Sequence, residues 1–393
     1  MRSSFLPLPA VLFGALLVAS VLSSSISTAP YTAETIVLGA TGFEDLAGRF
    51  EELARSEGGA HAFEVLRSAS IPPNIDMHLL GHRIGDILYE QEGIQGIALC
   101  TDDFRNACSH TMVIGALSDH GESALDAIRD ACKRAPGGLG AYTMCYHGLG
   151  HGVFAFFDYS MPETIELCGK TGTDEYRQRE AVECIGGAVM ELSGGGGHDP
   201  EAWLRSRAAY IEADPVAFCL DEMIPENSKE QCFSYLTPEL WKMVGIDMGR
   251  PDPAQYKYAF ALCDAIPSSQ QTLRDACYGG FGKEFIPLAA DRDIRAVDTL
   301  PDEKLRDVVA WCREAGDAAG SAACIEHALH SLFWGGENDP AASLRFCALP
   351  DDAALSERCY RVLGENISFY LRGDERARWC SELPEPYMDL CAS

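Results

Sequence analysis

Sixteen cysteines constrain this chain more than any other feature. All lie after residue 99 and fall into eight close pairs: Cys100 and Cys108, Cys132 and Cys145, Cys168 and Cys184, Cys219 and Cys232, Cys263 and Cys277, Cys312 and Cys324, Cys347 and Cys359, Cys380 and Cys391. An even count in regular pairs predicts disulfides between sequence neighbours. No Cys-x-x-Cys occurs, which argues against zinc ribbons, thioredoxin-like chemistry and c-type haem attachment. Closing a loop of about 15 residues contributes on the order of 3 kcal/mol in the chain-entropy model, so eight such bridges would hold a quasi-linear fold together.

The second cysteine of each pair opens a related phrase. Cys108 begins Cys-Ser-His, Cys145 begins Cys-Tyr-His-Gly-Leu-Gly-His-Gly, Cys184 begins Cys-Ile-Gly-Gly, Cys277 begins Cys-Tyr-Gly-Gly and Cys324 begins Cys-Ile-Glu-His. The phrases recur every 32 to 48 residues, the period of a helical-hairpin repeat. An earlier unit fits without cysteine, Asp76 standing at the cysteine position of Asp76-Met77-His78-Leu79-Leu80-Gly81-His82. Segments 122–134, 253–265 and 302–314 carry helical apolar spacing and end near a first cysteine; segments 140–158 and 268–288 carry the second cysteine in their early turns. The expected fold is all-α, a right-handed-type helical-hairpin array (an α-solenoid) of about nine units, with one disulfide per unit in the last eight. It divides into linker and leading helices at 31–73, histidine-bearing repeats at 74–200, and stapled repeats continuing through 201–393. The layout is similar in kind to extracellular helical-repeat proteins with one disulfide per hairpin. That likeness implies architecture alone.

The first thirty residues read as a targeting segment: Arg2, an apolar stretch from Phe5 to Leu22, then Ser23, Ser24 and Ser25. This predicts a secretory signal peptide or a retained N-terminal anchor, and in either case export to a periplasmic, extracellular or outward-facing location. The whole chain carries 59 acidic against 31 basic residues, a formal net charge of -28 over 393 residues. So negative a surface repels phosphate backbones and anionic lipid, which excludes nucleic acid as a main partner and limits membrane contact to an uncleaved anchor. Cations and metal ions are favoured.

Histidine supplies the candidate chemistry. His78 and His82 are four residues apart, as are His147 and His151, a spacing that places both rings on one helix face where they can chelate one ion. His110 shares the repeat position of His78 and His147. If equivalent helices stack about 8–10 Å apart, these five rings face a common seam and would bind a transition metal: zinc, copper or iron. Asp76, Asp86, Asp158 and Glu191 are the carboxylates expected to complete the sphere or to orient a ring. Two alternatives remain open: non-covalent haem, and a scaffold for an extracytoplasmic protein or small molecule in which the histidines are structural. The spread of Trp203, Trp241, Trp311, Trp334 and Trp379 fits the scaffold. His327 and His330, with Glu326 beside them, form a separate pair expected not to join the five. Glu90, Glu191, Glu239 and Glu284 are expected on solvated faces, and the four-glycine run beginning at Gly194 on a surface loop or small lid. Gly148, Gly150, Gly152, Gly81 and Gly85 each cost a helix about 1 kcal/mol, so a close helix contact must compensate. No hydrolase, phosphate-loop or dinucleotide signature is present; enzymatic activity is left open.

Overall fold

Aspartate starts many of the helices, so part of the acid excess has a local structural use. Asp76 accepts a hydrogen bond from the Leu79 N–H at 2.9 Å, Asp317 from Gly320 at 2.6 Å, and Asp352 from Ala354 and Leu355. Asp214 and Asp339 do the same ahead of Pro215 and Pro340 in the first helical turn. Each cap satisfies an orphan N–H and places negative charge at the positive end of the helix dipole, for about 0.5–2 kcal/mol.

The computed structural model describes residues 31–195, 200–247 and 251–392. The expected signal or anchor, and residues 196–199 of the glycine run, lie outside them. Among the described residues there are twenty α-helices and no strand. Three helices lead: α1 (Phe43–Glu57), α2 (Gly59–Ser68) and α3 (Met77–Glu92). Then come α4 (Asp103–His120), α5 (Leu125–Cys132), α6 (Gly138–Phe156), α7 (Met161–Gly169), α8 (Arg179–Gly194), α9 (Pro200–Tyr210), α10 (Pro215–Leu220), α11 (Lys229–Tyr235) and α12 (Thr237–Met243). The last eight are α13 (Tyr256–Phe260), α14 (Gln271–Ala289), α15 (Asp302–Cys312), α16 (Ala318–Phe333), α17 (Pro340–Cys347), α18 (Ala353–Tyr370), α19 (Gly373–Glu382) and α20 (Glu385–Ala392). No helix among the described residues is long and apolar enough to cross a membrane.

All eight expected disulfides are present, and no cysteine is free. Seven tie the end of a preceding helix or turn into the next helix, as Cys132 at the end of α5 to Cys145 in α6, across 5.7 Å between Cα atoms; the eighth joins Cys380 near the end of α19 to Cys391 at the end of α20. They point to an oxidising, extracytoplasmic environment.

The second helices pack on one another in chain order: α3 on α4, α4 on α6, α6 on α8, α8 on α11, α11 on α14, α14 on α16 and α16 on α18. Glycine sets their approach. A Cβ on Gly150 would collide with the Cys184 carbonyl, one on Gly187 with the His147 carbonyl, and one on Gly282 with the Cys324 carbonyl. The glycines therefore serve close helix contact, as expected. Apolar filling comes from rings: Trp241, Tyr256, Phe281, Phe285 and Trp311 stack in one continuous run.

The helices do not run out in a line. The chain from Tyr31 onward is one compact unit, and its early helices meet its late ones. Arg105 donates its backbone N–H to Glu337 and its guanidinium to Ser331, both at 3.0 Å. Arg295 donates to the carbonyls of Leu66, Arg67 and Ala69 at 2.7–3.2 Å, capping the end of α2. A side chain on Gly140 would strike the Gly335 carbonyl. Two local expectations also change. Segment 253–265 is mostly 3-10 turn around the short α13. Glu239 and Glu284 are not solvated: Glu239 is 5% exposed and forked by Arg207, while Glu284 pairs with Lys283 at 2.5 Å.

Candidate metal centre

The contacts of α3 with α4 and of α4 with α6 bring five imidazoles together. His78 and His82 lie one turn apart on α3, His110 on α4, His147 and His151 one turn apart on α6. Ring centroids stand 4.5 Å apart for His78 and His82, 5.2 Å for His78 and His110, and 5.5 Å for His82 and His110. His110 is 6.0 Å from His147 and 6.2 Å from His151, which is 6.5 Å from His82. One ligand nitrogen from each of His78, His82 and His110 lies within 4.8 Å of the others. Gly148 makes the room: a Cβ there would occupy the His110 ring.

Hydrogen bonds select the nitrogens. At the start of α4 the backbone of Phe104, Arg105 and Asn106 takes left-handed φ values of 56°, 55° and 62°, a cost of order 1–3 kcal/mol per residue. That turn brings the Phe104 carbonyl to 2.6 Å from His78 Nδ1. A carbonyl only accepts, so Nδ1 carries the proton and Nε2 keeps its lone pair. His151 is fixed the same way, its Nδ1 donating to the Glu191 carboxylate at 3.0 Å. The His151 Nε2 lone pair then faces His147 Nε2 across 3.3 Å, close to the roughly 3.3 Å edge spanned by two nitrogens on a tetrahedral ion at 2.0–2.1 Å. Behind His147, Nδ1 stands 4.0 Å from the buried Glu183 carboxylate.

Burial holds His110 and His147 well below the ordinary histidine range, with the neighbouring rings adding to the effect; His78 is lowered chiefly by burial as well. Neutral imidazoles are what metal binding requires. His110 is only 1% exposed, and neither of its ring nitrogens has a hydrogen-bond partner among the described residues. Leaving a buried polar group unsatisfied costs about 1–3 kcal/mol.

The structure sorts the expected carboxylates. Glu191 reaches His151. Asp76 caps α3, which accounts for its place at the cysteine register. Asp86 is exposed and lines a surface cleft with Tyr89, Asp119 and His120. Asp158 falls past the end of α6, exposed, in a turn with φ of 50°. The side chains placed to share one ion are His78, His82 and His110; Asp86 and Asp158 fall outside that group, as do His147 and His151, which lie beside it. Glu183 was missed. It is one of 59 acidic residues, and only its complete burial, with Arg179 at 2.7 Å and Gln231 at 3.0 Å, sets it apart. His327 and His330, 5.5 Å apart, stay out of the five-ring cluster, yet Lys283 depresses the pKa of both His327 and His147. Of the five tryptophans, Trp241 is fully buried, Trp379 nearly so, Trp203 donates to the Glu191 carbonyl and Trp311 packs in the core, while Trp334 lines a cavity.

Fold and geometry together define a disulfide-stapled, all-helical protein with a partly buried cluster of five imidazoles. The chain matches no protein-family model, no curated protein and no solved structure.

Proposed function

We propose that this is an exported metalloprotein whose cluster of His78, His82, His110, His147 and His151 binds a transition metal: zinc, copper or iron. The observation that carries the reading is His110, a buried imidazole with both nitrogens unpartnered, set among rings whose own hydrogen bonds leave lone pairs directed inward. Glu191 behind His151 supplies the carboxylate backing that orients and strengthens an imidazole ligand, and Glu183 stands 4.0 Å from His147 Nδ1 without a hydrogen bond to it. Centroid spacings of 4.5–5.5 Å among His78, His82 and His110, with one nitrogen of each within 4.8 Å of the others, favour a bare ion over haem. The stacked second helices also support a curved helical-hairpin array of about nine units, in which the repeat brings equivalent histidines into register. The compartment is periplasmic, extracellular or membrane-anchored on the outer side.

The test is elemental analysis of protein purified from an oxidising compartment without a histidine tag. One or two transition-metal ions per chain are expected, with loss in the His147→Ala/His151→Ala variant that keeps its disulfides and helical circular dichroism. Metal content unchanged in that folded variant would remove the assignment.

A further inference from the structure

A second site lies outside the five histidines. A cavity of about 470 Å³ opens among α6, α8, α11, α14, α16 and α18, within the roughly 300–1,000 Å³ typical of small-molecule pockets. It exists because the late helices curl back onto α6. Two cations face it. Arg179 forks onto Glu183 at 2.7 Å, but its side chain stays half exposed while the carboxylate behind it is sealed. Lys283 pairs with Glu284 at 2.5 Å and stands 4.4 Å over the Tyr235 ring. Between them are His327 and His330, whose pKa values burial lowers first; His330 and then Lys283 add to the effect on His327, while on His330 Glu326 opposes it and Arg179 adds to it. Buried Tyr235 also lines the cavity. Opposite these polar groups Phe333, Trp334 and Tyr370 form an aromatic wall, with Arg105 stacked on Trp334 at 4.3 Å. The remaining carboxylate on the lining, Glu365, is exposed.

We propose that this cavity binds a small carboxylate with a flat apolar body, its anion held by Arg179 and Lys283 and its ring laid against Trp334 and Tyr370. Each cation is already paired with a carboxylate, so a ligand's anion would share donors with Glu183 and Glu284, which suits a single negative charge and not a phosphate dianion. Neutral imidazoles and the Tyr235 hydroxyl supply further hydrogen bonds without adding charge. The inference rests on the cavity alone and stands whether or not the histidine cluster carries metal.

Calorimetric titration of metal-free protein tests it, with benzoate, phenylacetate and indole-3-acetate as probes and the corresponding primary amides as neutral controls. At least one acid should bind saturably, and at least tenfold tighter than its amide. Two variants should each lose tenfold or more. Arg179→Gln/Glu183→Gln removes the cation together with its buried partner, so no stranded charge unfolds the site. Glu365→Trp plugs the cavity from an exposed position. Saturable binding by none of the acids, equal binding of the amides, or undiminished affinity in both folded variants would each overturn the proposal.

Discussion

His151 shows how one hydrogen bond decides which atom is available for chemistry. Because Glu191 takes the Nδ1 proton, the lone pair is left on Nε2, facing His147. Glu191→Gln keeps an acceptor but loses the charge that raises imidazole basicity. Metal affinity, read by competition with a chromophoric chelator, should fall by about 10- to 100-fold, with the fold unchanged. Two other residues give metal-free protein opposing pH limits. Burial, then His330 and Lys283, lowers the His327 pKa to about 3. The unfolded chain takes up that proton near the ordinary value of 6.5. The stability His327 contributes is therefore present above 6.5 and lost as pH falls toward 3. Glu337 runs the other way: burial raises it to about 8 from 4.5. Its contribution is complete below 4.5 and lost as pH rises through 8. Melting temperatures should fall on both sides of an intermediate pH, with His327→Gln flattening the acid limb and Glu337→Gln the alkaline one. A limb that keeps its slope in its variant rejects that assignment.

At the scale of elements, glycine positions separate contact from mere composition. Gly150 in α6 and Gly169 at the end of α7 are both helical, but only Gly150 abuts a neighbouring backbone; a Cβ on Gly169 meets nothing within 4 Å. Gly150→Ala must push α8 away, a cost of about 1–3 kcal/mol from overpacking. Gly169→Ala should be neutral or stabilise by up to about 1 kcal/mol through the unfolded chain. Urea midpoints on intact-disulfide protein distinguish the two. The glycine spacing was legible in the sequence; which glycine meets which carbonyl was not, because that depends on the crossing of two helices. Helix ends show the same limit. The sequence carries α6 on to residue 158, but the turn at Phe157 to Ser160 closes on Val153, Phe154, Ala155 and Phe157 carbonyls instead, taking Asp158 off the helix face.

For the molecule as a whole, the decisive feature is closure. Arg295 joins the C-terminal half to the end of α2 through three carbonyls, and charged hydrogen bonds of this kind contribute about 1.5–3 kcal/mol each when buried, less where solvent reaches them. Arg295→Met should therefore raise hydrogen exchange in α1 and α2 while leaving α18 to α20 unaffected; uniform protection throughout would show that this link carries little. The disulfide pairing, the all-helical class and the two histidine pairs at one-turn spacing were determined by the sequence alone, because each joins residues at most 16 apart and is set by local geometry. The gathering of His110 with the four paired rings, the burial of Glu183 and the meeting of Lys283 with His327 beside Arg179 were decided by tertiary structure. They depend on how closely glycine-lined helices approach and on how far the chain curls, and those distances follow from packing between segments that no local pattern connects.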